Sequence, residues 1–288
     1  MTAIAKAVMP VAGLGTRFLS VTKAVPKEML PVLNKPLVQY AVEEAFAAGI
    51  EQILFVNGRG KNALEDFFDH SPELEARLAE SGKTELLSRI ESTVPAGGQF
   101  AFVRQTKPLG FGHAVLCAKN WVQNEPFAIL LPDDLMMCDQ PCIKQLVDQY
   151  DLSMGNMAAV VDVAPHAVSA YGVLDIASQK GDLLQAKGVV EKPKTEQAPS
   201  TKAIIGRYIL HPDVFKILET QQPGVGGEIQ LTDALSRMIP THGLTGLLVH
   251  GHRFDCGSVE GMVEAQVAYA MRDPLMGEKI RASLMRWL

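Results

Sequence analysis

An apolar, strand-like run at residues 7–11 passes straight into Ala12-Gly13-Leu14-Gly15-Thr16-Arg17, and this junction limits what the chain can fold into more than any other segment. Glycine lets a backbone approach a ligand closely and turn its N–H groups inward. Phosphate oxygens are the natural partners of such donors. Arg17 and Lys27, with Lys23 nearby, add the positive charge that neutralises them.

Two better-known phosphate motifs are excluded. A dinucleotide fingerprint requires a third glycine, and Phe18 stands there. A P-loop requires Gly-Lys followed by Ser or Thr, and neither Gly13 nor Gly15 precedes a lysine. Gly82-Lys83-Thr84 has that ending, but Arg77 occupies the upstream glycine position and the segment reads as a charged helix.

The 288 residues, 47% hydrophobic and 20% charged, suffice for a large core. A net charge of −5 argues against a nucleic-acid polymer or an anionic membrane surface as partner, so the local cations point to small anionic ligands. Every apolar run breaks before 18 residues, too short to span a bilayer, and the start lacks a signal-peptide pattern. Cys117, Cys138, Cys142 and Cys256 have neither zinc-type spacing nor disulfide-scaffold density. A reduced, cytoplasmic protein is the expectation.

Strand-like and helical runs alternate along the first half: strands at 7–11, 53–56, 99–103 and 127–131, helices at 37–48, 62–90 and 112–120. Such alternation predicts an α/β fold with a mixed, mostly parallel central sheet flanked by helices. The second half is β-rich at 157–163, 172–176, 184–191 and 203–210, then helical at 212–219, 229–238 and 260–271. We read one domain over 1–288. Its nucleotide-binding half covers about 1–150, a smaller β-rich sugar-binding portion about 151–258, and C-terminal helices about 259–288, which pack on the core or on another subunit.

The apolar strand 127–131 ends in Pro132-Asp133-Asp134, where open α/β sheets bind ligands. Paired carboxylates suit Mg²⁺, although Asp-Asp is also a common turn and capping sequence. Asp255, at the end of the strand-like sequence 246–249 and before a C-terminal helix, is a second candidate, with Asp255 or Ser258 as a plain helix cap the alternative. Glu191-Lys192-Pro193 ends a strand with an acid and a base, suited to sugar hydroxyls and a phosphate or to a surface ion pair. Gly172 and Gly206 lie in strand-like sequence, marking a bulge or a close ligand approach. Gln105 opens a loop through Gly110 and could read a pyrimidine edge. His113 has no nucleophile partner and reads as structural, at a helix start.

Together, Gly13-Leu-Gly-Thr-Arg17, Pro26-Lys-Glu-Met-Leu-Pro31, Leu131-Pro-Asp-Asp134, Val190-Glu-Lys-Pro193, Gly227-Glu-Ile-Gln-Leu-Thr-Asp233 and Phe254-Asp-Cys-Gly257 resemble the bacterial UTP–glucose-1-phosphate uridylyltransferases, sugar nucleotidyltransferases also called UDP-glucose pyrophosphorylases. The resemblance runs in order from about residue 4 to 271. It implies a Rossmann-like nucleotidyltransferase fold and transfer of a uridylyl group from UTP to glucose 1-phosphate, with Mg²⁺ as cofactor and a homodimer or homotetramer.

Carried over by position, it puts Ala12, Gly13, Leu14, Gly15 and Thr16 at the nucleotide, Gln105 and Gly110 at the uracil, and Arg17 and Lys27 at the phosphates. Asp133 and Asp255 become the metal ligands, Asp133 also facing the nucleotide. Gly172, Glu191 and Gly206 would face glucose, and Lys192 its phosphate. Asp134 would support Asp133, while the 227–233 motif has no derivable task. Ser20, Phe111 and Val259-Glu260 depart from the family pattern without removing a proposed catalytic group. A dTTP-dependent thymidylyltransferase would share most of these motifs. A non-catalytic nucleotide-binding relative would be expected to lack one of Arg17, Lys27, Asp133 or Asp255.

Overall fold

The computed structural model describes residues 4–287. The chain begins with β1 (Lys6–Pro10), followed by the glycine loop, then a small hairpin of β2 (Pro31–Val32) and β3 (Lys35–Pro36) leading into α1 (Leu37–Ala47). Next come β4 (Gln52–Asn57), the helices α2 (Asn62–Phe67), α3 (Pro72–Glu80) and α4 (Thr84–Glu91), and β5 (Phe100–Arg104). The segment 62–90, expected as charged helix, is therefore broken. The breaks fall at a turn before Ser71-Pro72 and at Gly82, whose φ of 69° is left-handed.

The chain continues through α5 (Phe111–Leu116), α6 (Lys119–Val122), β6 (Phe127–Leu130), β7 (Asp134–Met137), α7 (Cys142–Gln149) and β8 (Met157–Asp162). The second half supplies β9 (Gly172–Lys180), β10 (Leu183–Glu191), β11 (Lys202–Leu210), α8 (Val214–Thr220), α9 (Leu231–His242), β12 (Thr245–Leu248), β13 (His252–Asp255), α10 (Val259–Arg272) and α11 (Gly277–Leu284).

Among the described residues, nine strands form one sheet in the order β5-β4-β1-β6-β11-β8-β12-β10-β9. The pairings among β5, β4, β1 and β6 are parallel, as is β8 with β12. β11 runs antiparallel to both β6 and β8, and β10 antiparallel to β12 and β9. The sheet is mixed, its parallel character concentrated where the sequence shows strand–helix alternation.

Both faces of the sheet are covered, which is why its central strands read as unbroken apolar runs. In β1, Ala7 and Met9 pack toward α1 and α7, while Val8 packs toward α5, α8 and α9. β6 alternates in the same way, with Ala128 and Leu130 on the first face and Phe127 and Ile129 on the second. A separate pair, β7 with β13, packs Leu135 and Phe254 against Met262 and Ala265 of α10.

Candidate active site

The parallel strands bring their carboxyl ends to one edge. β1 delivers the glycine loop, β5 delivers Gln105, and β6 delivers Asp133. Gly15 has a left-handed backbone, with φ 65°, and its carbonyl accepts from Thr22 Oγ1 at 2.8 Å. A side chain there would be strained by that φ and would stand 3.1 Å from both Lys27 Cβ and Thr22 Cγ2. The loop can therefore fold this tightly over Lys27 only with glycine.

Lys27 Nζ pairs with Asp133 Oδ2 at 2.5 Å. Burial works to lower the Lys27 pKa, but Asp133 and Glu28 outweigh it and hold the ammonium above its usual value. Burial likewise works to raise Asp133, and the Lys27 charge and hydrogen bond overcome it and hold the carboxyl low. Behind this pair, Glu28 is buried against Lys61 at 2.7 Å. Burial pushes its carboxyl up, against the pull of both lysines.

Asp255 does not follow directly from the strand-like sequence at 246–249. It ends its own strand, β13, whose ladder with β7 sets Asp255 opposite Asp134, and Cys256 N–H donates to Asp133 O at 2.8 Å. Asp255 is not a helix cap either. Ser258 caps α10 by accepting from Gly261 N–H at 3.1 Å, whereas Asp255 Oδ1 accepts from Gly257 N–H at 3.1 Å. A Cβ built on Gly257 would stand 3.0 Å from Asp133 Oδ2, 3.0 Å from Asp255 Oδ1 and 3.7 Å from Arg17 Nη1. Two carboxylates and a guanidinium thus surround one point. Hard oxygen donors flanking a shared point are the donor set that Mg²⁺ prefers.

Asp134 faces the other way. Its Oδ2 accepts from Gly206 N–H at 2.8 Å and its Oδ1 from Arg253 Nε at 2.5 Å. Burial, helped by Asp133 and opposed by Arg253, pushes the Asp134 carboxyl up. Arg253 also donates to Tyr171 OH at 2.9 Å. Gly206 sits in the stretch where the β11–β8 register slips, and a side chain on it would meet Asp134 Oδ2 at 2.5 Å. The bulge and the close approach are one feature, and the group approached is Asp134.

Glu191 Oε2 accepts from Thr232 Oγ1 at 2.6 Å, and its Oε1 lies 3.3 Å from Lys192 Nζ. Lys192 takes a left-handed φ of 47°, uncommon for a non-glycine residue, while its N–H donates to Tyr171 O at 2.9 Å. The 227–233 motif gains a task here. Thr232 holds Glu191, and Ile229 clasps the Gln105 loop by donating to Leu109 O at 2.7 Å and accepting from Gly112 N–H at 2.8 Å. His113 gains one as well. Gln105 Nε2 lies 3.0 Å from His113 Nδ1 and 3.1 Å from Gly110 O. Burial holds the His113 imidazole below its usual value, so it is neutral and Nδ1 accepts. With both amide hydrogens engaged, the Gln105 carbonyl oxygen is what the side chain can offer a ligand.

A cavity of about 700 Å³ gathers these groups. Ala12, Gly13, Leu14, Gly15, Thr16, Arg17, Lys27, Gln105, Gly110, Asp133, Gly172, Glu191, Lys192, Gly206 and Asp255 all line it. So do Tyr171, Thr232, Glu228 and Arg253, to which the sequence alone assigned no role. Of these, Thr232 and Glu228 stood in a motif whose presence was the available signal.

Residues 6–272 match the profile of the nucleotidyl transferase family. A Staphylococcus epidermidis protein named UTP–glucose-1-phosphate uridylyltransferase is 46% identical over 282 residues, covering 98% of each chain. Among solved structures, a UDP-glucose pyrophosphorylase from Acinetobacter baumannii superimposes with a TM-score of 0.91 at 38% identity, over 99% of this chain and 100% of that one. A UDP-glucose pyrophosphorylase complexed with UDP-glucose gives a TM-score of 0.86 at 42% identity, over 94% of this chain and 100% of that one.

Proposed function

The chain belongs to the nucleotidyl transferase family, and from that membership we propose that it transfers a uridylyl group from UTP to glucose 1-phosphate, forming UDP-glucose and pyrophosphate. The observation that carries this reading is the single cavity joining the Lys27–Asp133 pair and Asp255 to Glu191 and Lys192. One end offers cations and paired carboxylates, as a triphosphate with its metal requires. The other offers a carboxylate for sugar hydroxyls and an ammonium for the sugar phosphate.

In the reaction, an oxygen of the glucose phosphate attacks the α-phosphorus in line, and pyrophosphate leaves from the opposite side. The attacking oxygen is already ionised near neutral pH, so the chain needs no general base. Lys192 holds the incoming phosphate, while Arg17 and Lys27 stabilise charge growing on the pyrophosphate. Gly13 and Gly15 admit the phosphates to the loop backbone, and Glu191 orients glucose by accepting from its hydroxyls. Asp133 and Asp255 would hold Mg²⁺, which when bound neutralises phosphate charge. The Gln105 carbonyl would accept from the N3–H of uracil, which cytosine lacks.

Pyrophosphate release measured with UTP, dTTP and CTP, each with glucose 1-phosphate, tests the reading. UTP is expected to lead and CTP to fail; a clear dTTP preference, or no release with any of them, would overturn it. The exposed apolar side chains of Val259 and Val263 on α10, and of Leu275 and Trp287 in the turns before and after α11, support a homodimer or homotetramer. Free cysteines at 117, 138, 142 and 256 suit a cytoplasmic enzyme. Among the described residues, no helix is long and apolar enough to cross a membrane.

A further inference from the structure

Outside the nucleotide cavity, three potential ligands converge where β11, α8 and α9 meet. His211 follows β11, Asp213 precedes α8, and His242 is the last residue of α9. We propose that these residues bind a divalent transition-metal ion, Zn²⁺ being the ion best matched to their donors. One donor atom from each can be chosen so that all lie within 4.8 Å of one another. Two imidazoles and a carboxylate are a ligand set of three-coordinate protein zinc sites, which keep a fourth position open. His211 and His242 also line a second cavity, of about 540 Å³, which gives an ion a way in.

His242 presents its two ring nitrogens to different partners. Thr241 Oγ1 lies 2.9 Å from His242 Nδ1 and 3.2 Å from Met238 O. His242 Nε2 faces Asp213 Oδ2 at 3.2 Å. An imidazole nitrogen and a carboxylate oxygen this close can both ligate one cation. Their spacing suits two ligands each about 2.0 Å from a tetrahedral ion. Thr241 meanwhile supplies the outer partner that a ligating histidine commonly has. Asp213 Oδ1 is already neutralised by Lys216 at 2.6 Å, which leaves Oδ2 for the ion.

The His211 ring lies 4.2 Å from the His242 ring, centroid to centroid. Its Nδ1 accepts from Asp213 N–H at a long 3.2 Å, a contact that the ring gives up on taking the ion. Bound there, the ion would tie the end of α9 to the start of α8.

The test is titration of chelator-stripped protein with zinc chloride by calorimetry, in an Asp133→Asn background that removes the competing carboxylate pair. One equivalent of Zn²⁺ should bind, and the same addition should raise the thermal midpoint. His242→Ala and Asp213→Asn should each weaken that binding by about 10²-fold or more and abolish the thermal shift, with far-UV circular dichroism unchanged. Turnover in the otherwise wild-type protein should survive His242→Ala. Zinc affinity equal in the parent and both variants, or no uptake by the parent, would overturn the proposal and leave a plain His242–Asp213 contact.

Discussion

Arg207 with Glu44, and Lys27 with Asp133, are both cation–carboxylate pairs beside the β6–β11 frame, yet they are built differently. Arg207 is 1% exposed and grips Glu44 with two bonds, Nε to Oε1 at 2.9 Å and Nη2 to Oε2 at 2.8 Å. It also donates to Leu131 O at 2.8 Å, while Glu44 accepts from Ile143 N–H at 2.9 Å. Lys27 meets Asp133 through one contact at the cavity edge, with 20% and 23% of their side chains exposed. Multiplicity and burial fix the first pair in place. The second can exchange partners, because an ammonium is a point charge without a fork geometry, and Asp133 shares its surroundings with Asp255 and Arg17. One pair shapes the frame; the other is available to a ligand.

Removing one partner of the fixed pair should have the largest effect. Arg207→Met leaves Glu44 buried and uncompensated, at an expected cost of about 3–5 kcal/mol of stability in urea unfolding. A midpoint close to wild type would erase the distinction drawn above. Lys27→Ala should do the reverse. Pyrophosphate release should fall about 10²–10³-fold, equivalent to about 2.7–4 kcal/mol, with unfolding little changed. Wild-type-like turnover would remove Lys27 from the proposed chemistry.

A smaller effect should separate the two ends of the cavity. Thr232→Val deletes the donor to Glu191, and a hydrogen bond to a charged group contributes about 1.5–3 kcal/mol. The KM for glucose 1-phosphate should rise roughly tenfold or more while that for UTP holds, since every 1.4 kcal/mol is a factor of ten. Equal rises in both would mean that Thr232 supports the whole cavity.

The smallest effect lies in the pH dependence of stability. Asp133 is held low, so its contribution is complete above the ordinary carboxylate pKa of about 3.9 and is lost as pH falls through the folded-state value. Lys27 is held high, so its contribution is complete below about pH 10.4 and is lost as pH rises through the folded-state value. In Asp133→Asn, urea midpoints followed across pH should flatten at both extremes. An unchanged profile would show that the pair adds nothing to folding.

Strands, helices and the anion loop were legible because each is written in local pattern. Continuous apolar runs mark strands covered on both faces, and the glycines after β1 mark backbone donors. The helices at 62–90 were less legible, since charged sequence carries little periodicity to show where Gly82 would interrupt it. At the site, Asp133 could be placed by its position after an apolar strand. Asp255 was a candidate from its place before a helix, but its meeting with Asp133 was not legible, because what brings it there is a ladder between β13 and β7, more than a hundred residues apart in the chain. Arg253 and Tyr171 carried no local signal, and both lie against Asp134 or its partners.

The sequence by itself determined an α/β architecture, a phosphate-seeking loop and a set of carboxylates and cations suited to nucleotidyl transfer, because backbone preference and charge are properties of short segments. Tertiary structure alone decided that Asp133 and Asp255 flank one point, that Asp134 turns away to hold Gly206 and Arg253, and that the 227–233 motif clasps both Glu191 and the Gln105 loop. Those relations depend on strand register and on hydrogen bonds between distant segments, which come into being only when the sheet is assembled.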